Sequence, residues 1–132
     1  MAERRDVSDL RRFVDSQLKS AGFTKDRAGR NNEVIVASWR RVGDGRLRTF
    51  ELNDWDPWGE GRLTASWAGV AEAESWWATR LPMTVMQMTP GDVQLAIDRG
   101  VAGATREVEL SPDARSWQGR VLELISWLRV TS

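Results

Sequence analysis

Residues 33–53 read as a β-hairpin, and the rest of the 132-residue chain has to be arranged around it. Glu33 to Val42 carries apolar residues on both faces of an extended segment, Val34 and Val36 on one and Ile35, Ala37 and Trp39 on the other. That is the pattern of a strand interior to its sheet. Gly43-Asp44-Gly45 then supplies the residues that tolerate the positive φ of a tight turn between antiparallel strands. Arg46 to Asn53 is expected to return beside the first strand.

The flanking segments supply layers to cover such a sheet. Residues 8–21 are amphipathic, with Leu10, Phe13, Val14, Leu18 and Ala21 at helical spacing and Arg12, Asp15, Ser16 and Lys19 on the other side. Asp6 or Ser8 is expected to cap this helix, Asp15 and Lys19 to pair along it, and Gly22 to stop it with Phe23 folding back. At the far end Ser111-Pro112-Asp113 opens a helix on which Trp117, Val121, Leu124, Ile125 and Leu128 share one face.

Between these ends the expected pieces are short. A polar turn follows Phe23, and a loop spans 54–61, where Pro57, Gly59 and Gly61 break the strand pattern. Residues 62–68 form a strand with Leu63, Ala65 and Trp67 on one face. Residues 71–79 hold helix formers, although the Trp76-Trp77 pair leaves helix or strand open. Residues 83–88 read as another strand. Thr89-Pro90-Gly91-Asp92 enters a helix that Gly100 ends, and 104–110 is a strand with one wet face, suited to a sheet margin. Together these imply an α+β fold: a single domain over 1–132, a mostly antiparallel sheet of about four or five strands with its central hairpin at 33–53, and amphipathic N- and C-terminal helices packed on one face.

Composition narrows function more than fold. The chain has no His, no Cys and no Tyr. It therefore lacks a disulfide frame, a thiolate nucleophile, sulfur ligands for zinc and an imidazole base. The charged opening Met1 to Asp6 and the absence of a long apolar run predict neither a signal peptide nor a membrane span. A cytoplasmic protein, or one assembled into a particle made in the cytoplasm, is expected.

Local motifs do not restore catalysis. Ser16-Gln17-Leu18-Lys19 has the Ser-x-x-Lys spacing of acyl-serine enzymes, but both polar residues fall on the wet face of the first helix and the companion motifs are missing. Asp54-Trp55-Asp56-Pro57-Trp58-Gly59 begins like a calcium loop, yet position five is Trp58 and position twelve is Ala65. At most a weak divalent site at Asp54, Asp56 and Glu60 remains, against the plainer reading of a solvated acidic turn. Gly43-Asp44-Gly45 and Gly59-Glu60-Gly61 lack the third glycine of a dinucleotide loop. Glu72/Glu74 and Glu107/Glu109 are spaced as wet stripes or splayed pairs rather than as acid-base partners. No catalytic residue, cofactor or metal is assigned, and the chain is read as non-enzymatic.

What remains is a surface pattern. Residues 1–50 hold 12 basic and 7 acidic side chains and residues 51–75 hold 1 and 6, net charges of +5 and −5. A chain with charges sorted in this way has a dipolar surface. The basic part includes Arg40, Arg41, Arg46 and Arg48 around the hairpin, and the acidic part includes Asp54 and Asp56 beside Trp55 and Trp58. Trp usage is high, at 8 residues; Trp39, Trp67 and Trp117 belong on apolar faces, whereas Trp55 and Trp58 flank Pro57 in a loop where interface anchoring is reasonable.

The opening segment through Phe50, an amphipathic helix closed by Gly22-Phe23 and followed by a hairpin, resembles several bacterial domains of unknown function and some toxin-neutralising immunity proteins. The reading is a bacterial or phage interaction protein, a subunit of a larger assembly or an immunity-type inhibitor, which meets a protein partner or its own copies through Trp55, Trp58, Asp54, Asp56, Arg40, Arg41, Arg46 and Arg48. The alternatives are nucleic-acid binding through the Arg-rich hairpin 39–50, since arginines interleaved with aromatics grip phosphates and stack bases, and a small-ligand pocket lined by Trp.

Overall fold

The computed structural model of the chain describes residues 7–31, 34–55, 60–110 and 117–131. In chain order they form α1 (Val7–Ser20), β1 (Thr24–Asn31), β2 (Val34–Gly43), β3 (Arg46–Trp55), β4 (Glu60–Gly69), α2 (Val70–Ala78), α3 (Pro90–Asp98), β5 (Gly103–Leu110) and α4 (Trp117–Thr131). The strands make one antiparallel sheet in the order β1-β2-β3-β4-β5. The α+β class holds.

The hairpin is built as its turn residues dictate. Asp44 and Gly45 take φ of 56° and 73°, a turn that matches strand twist and sets Gly43 opposite Arg46. Alternation along β2, β3 and β4 then divides the sheet into two faces. Ala37, Trp39, Phe50, Leu52, Leu63 and Ala65 point to the first, where the apolar stripes of α1 and α4, among them Leu10, Val14, Leu18, Val121, Leu124 and Leu128, cover them. Each such Val or Leu withdrawn from water contributes about 1.5–3 kcal/mol. Gly22, at φ 88°, ends α1 and turns Phe23 onto this core. Both terminal helices thus lie on one face, as their periodicity implied.

Asp15 ties α1 to the sheet. Its carboxylate accepts the Trp39 Nε1 hydrogen bond at 2.9 Å and pairs with Lys19 at 3.0 Å. Partial burial alone would raise the Asp15 pKa; the Trp39 hydrogen bond and the Lys19 ammonium together outweigh it and hold the carboxyl below its ordinary value. A carboxyl depressed in the folded state stabilises the fold above its unfolded pKa, and that contribution is lost as pH falls through the folded value. Asp15→Asn should therefore flatten the acid limb of a stability–pH curve from about pH 4 downward, read by urea unfolding followed through Trp fluorescence. An acid limb identical to that of the wild type would refute the coupling.

The second face carries its own layer. The segment expected as helix or strand is the helix α2, and with α3 and residues 79–89 it packs Ala73, Trp77, Val85, Met88, Val93 and Ala96 over Leu47 and Ala68. α3 starts as its sequence predicts: Thr89 Oγ1 accepts from Asp92 N at 3.2 Å, Asp92 Oδ2 accepts from Thr89 N at 2.9 Å, and Pro90 stands in the first turn. α1 already includes Ser8; the other expected caps, Asp6 and Ser111 to Asp113, lie outside the described residues.

Three local expectations are corrected. Thr24–Asn31, read as a polar turn, is an edge strand; backbone pairing with β2 holds it, so it needs no apolar alternation, and its charges and the bulge between Lys25 and Arg27 keep its free edge from templating another chain. The loop expected over 54–61 is narrower than that: Asp54 and Trp55 belong to β3 and Glu60 and Gly61 to β4, because ladder pairing continues past the point where the apolar pattern stops, and residues 56–59 lie outside the described residues. Residues 83–88, read as a strand, run as turns, with Gln87 N donating to Thr84 O at 2.9 Å. Val85 and Met88 face inward there, and their carbonyls accept from the Arg40 guanidinium rather than from a neighbouring strand.

Candidate functional site

Strand parity separates the hairpin arginines. Arg40 points to the second face and is only 8% exposed; its Nε pairs with Asp26 at 2.5 Å and its two terminal nitrogens donate to Val85 O and Met88 O. This guanidinium holds residues 79–89 against the sheet and does not belong to a binding surface. Arg41, Arg46 and Arg48 point to the first face at the turn end of the sheet, where Arg41 and Arg48 are cross-strand partners. Arg41 donates to Ala21 O at 3.3 Å, at the end of α1, and Arg48 donates to Gly43 O at 3.4 Å. The Arg46 guanidinium lies 4.8 Å from the centre of the Trp67 ring, so Trp67, expected in the core, is a half-buried platform for a cation.

The cluster is crowded with like charge. Cations directly opposite on a ladder repel. Burial, then Arg41, and also Arg46 push the Arg48 guanidinium below its ordinary pKa, with Asp44 opposing them.

The acidic candidates separate too. Asp54 is fully buried in β3, between Ile35 and Gly61, and is no surface acid. Asp56 and Trp58 lie outside the described residues. Among the described residues no group of three or more Asp or Glu could hold a metal ion. Trp55 is half-buried on the second face, 5.8 Å from the Arg62 guanidinium. Arg62 in turn reaches Glu109 at 3.1 Å and Glu107 at 3.7 Å on β5. Alternation places Glu51 and Glu60 on this same face, and Glu51 accepts from Asn53 Nδ2 at 3.2 Å. Among the described side chains, this half of the sheet presents the carboxylates of Glu51, Glu60, Glu107 and Glu109 against the single guanidinium of Arg62.

The two patches of opposite charge draw on different parts of the chain: Arg41 and Arg46 come from the basic first 50 residues, Glu51 and Glu60 from the acidic segment 51–75, and Glu107 and Glu109 from the neutral remainder. A basic cluster occupies the turn end of the first face, and an acidic surface occupies the opposite end of the second. No family model, curated protein or solved structure matches the chain.

Sequence reasoning missed the grouping of Arg62 with Glu107 and Glu109. The i,i+2 spacing of the two glutamates put them on one strand face, but two helices separate β4 from β5 in the chain, so their adjacency is a tertiary fact. A further concavity of about 340 Å³ between α2 and α3 is lined by Trp76, Arg80, Leu95 and Arg99. Arg80 lies 3.7 Å over the Trp76 ring and donates to Trp76 O. Among the described residues no helix is long and apolar enough to cross a membrane.

Proposed function

We propose that this chain is a non-enzymatic interaction protein that receives an acidic protein surface on Arg41, Arg46 and Trp67, with Arg48, only 6% exposed, adding its charge from within the sheet face. The observation that carries this reading is the placement of an exposed Arg41 and of Arg46, stacked 4.8 Å over Trp67, on one face at the turn end of the sheet, with the like charge of buried Arg48 directly opposite Arg41. An approaching carboxylate relieves that repulsion, and Arg forks bind carboxylates in two-point geometry. Trp67 under Arg46 adds an aromatic surface of the kind that anchors interfaces. A chain without His, Cys or Tyr has few groups suited to moving protons near neutral pH, which supports binding over catalysis.

The same cluster admits a second reading, a single-stranded nucleic acid with a base stacked on Trp67, since cations beside an aromatic are what such a strand uses. The acidic opposite end of the sheet counts against a long polyanion. A titration with a short poly-glutamate peptide and a matched single-stranded oligonucleotide separates the two. Binding of the peptide, weakened by salt and at least about tenfold by the double change Arg41→Glu and Arg46→Glu, is the expected result; tenfold corresponds to about 1.4 kcal/mol. Preference for the oligonucleotide replaces the protein partner with nucleic acid, and binding of neither sinks the site.

A further inference from the structure

We infer that the acidic partner is a second copy of this chain, a proposal that rests on the binding role of the basic cluster. Two surfaces of one molecule are complementary. The first, at the turn end of the sheet, carries Arg41 and Arg46 with Asp44, above a buried Arg48; the second, at the opposite end of the other face, carries Glu51, Glu60, Glu107 and Glu109 with Arg62. Glu107 and Glu109 keep 54% and 67% of their side-chain surface exposed while they touch Arg62, so each has room for a second guanidinium. Each surface also carries a half-buried Trp, Trp67 under Arg46 and Trp55 beside Arg62, which gives an apolar anchor inside a charged rim.

The geometry also selects how copies meet. Edge-to-edge sheet extension is discouraged at both margins, by the bulge and charges of β1 and by Arg106, Glu107 and Glu109 on β5. Copies therefore meet through the two charged surfaces rather than through strand edges. The two complementary surfaces are different, and they lie on opposite faces at opposite ends, so a contact between them is head-to-tail. It leaves a free basic cluster on one copy and a free acidic surface on the other, and it propagates into a ring or a filament rather than closing as a two-fold dimer.

Sedimentation velocity of the whole chain over a concentration series at low and high salt tests this. The expected result is mass that grows with concentration beyond a dimer at low salt and dissociates in high salt, as screening of exposed charges requires. Reversing either surface, by Arg41→Glu with Arg46→Glu or by Glu107→Arg with Glu109→Arg, should weaken self-association at least about tenfold, and mixing the two variants should restore it. Should a reversed pair fail to fold by circular dichroism, the milder pairs Arg41→Ser with Arg46→Ser and Glu107→Gln with Glu109→Gln give the same test of loss, with salt dependence as the second readout. A wild type that stays monomeric at every concentration, one that stops at a dimer, or reversed variants that do not recover on mixing would each overturn the inference. A monomer that still binds poly-glutamate through Arg46 overturns self-assembly alone and leaves a foreign acidic partner; loss of both removes the binding role as well.

Discussion

Replacing Arg40 with Ala should cost about 3 kcal/mol of folding free energy, far more than a substitution at the exposed Arg41, because removal of one partner from a buried charged network strands the rest. Three groups depend on this side chain: the Asp26 carboxylate and the carbonyls of Val85 and Met88. Asp26 is 28% exposed and recovers part of its hydration, which keeps the expected cost near the lower end of values for buried pairs. The two carbonyls are the larger loss. They belong to a turn-rich segment whose backbone acceptors at Val85 and Met88 have no strand beside them, so an unpaired carbonyl there costs about 1–3 kcal/mol. Arg40→Lys keeps a charge for Asp26 but cannot serve a carboxylate and two carbonyls with one ammonium, and it should fall between wild type and Ala. Denaturant unfolding gives the total. Hydrogen exchange gives the location: amides in 79–89 should lose protection in Arg40→Ala before those of β2 and β3. A loss below about 1 kcal/mol with unchanged exchange in 79–89 would show that Arg40 is a surface cation after all.

Legibility in the sequence tracks how local each interaction is. The hairpin turn, the stop of α1 at Gly22 and the capping box of α3 involve residues a few positions apart, and each forms as the residues direct. β1 escaped notice because an edge strand is held by backbone bonds that leave no trace in side-chain pattern. Met83 to Met88 misled for the opposite reason. Its alternating apolar residues meet a buried arginine and a helical layer rather than a strand, and nothing within the segment announces Arg40.

The candidate site divides along the same line. That Arg40 and Arg41 face opposite ways follows from the two-residue period of a strand and was readable once the hairpin was accepted. That Arg46 stacks on Trp67, and that Arg62 meets Glu107 and Glu109, requires the β3–β4 and β4–β5 registers, which depend on the whole sheet. Charge sorting in the sequence did not foretell the acidic patch, half of which, Glu107 and Glu109, comes from the net-neutral stretch beyond residue 75 and joins it only through the β4–β5 register.

Gly103→Ala should be the other severe substitution, and its neighbour in space, Gly69, supplies the control. A Cβ on Gly103 would stand 2.2 Å from Trp67 O, 3.0 Å from Ile97 Cγ1 and 3.1 Å from Ala68 Cα. Two of those contacts are backbone of β4 and the third is the side chain that seats α3 on the sheet, so relief requires β5 to move away from β4 or α3 to lift. Overpacking of this kind costs about 1–3 kcal/mol, and a clash with strand backbone on one side and a half-buried Ile97 on the other sits at the top of that range. Gly69 differs in what surrounds it. A Cβ there meets the Glu72 carboxylate, the far end of a flexible and exposed side chain, and the residue holds φ −63° and ψ 133°, which alanine adopts freely. Gly69→Ala should stay within about 0.5 kcal/mol of wild type, since the loss of freedom in the unfolded chain favours it and Glu72 swings aside. Thermal unfolding of the pair measures the contrast. Equal melting temperatures would mean that β5 and α3 yield without cost at Gly103, and that the close approach of the two layers there contributes nothing to stability.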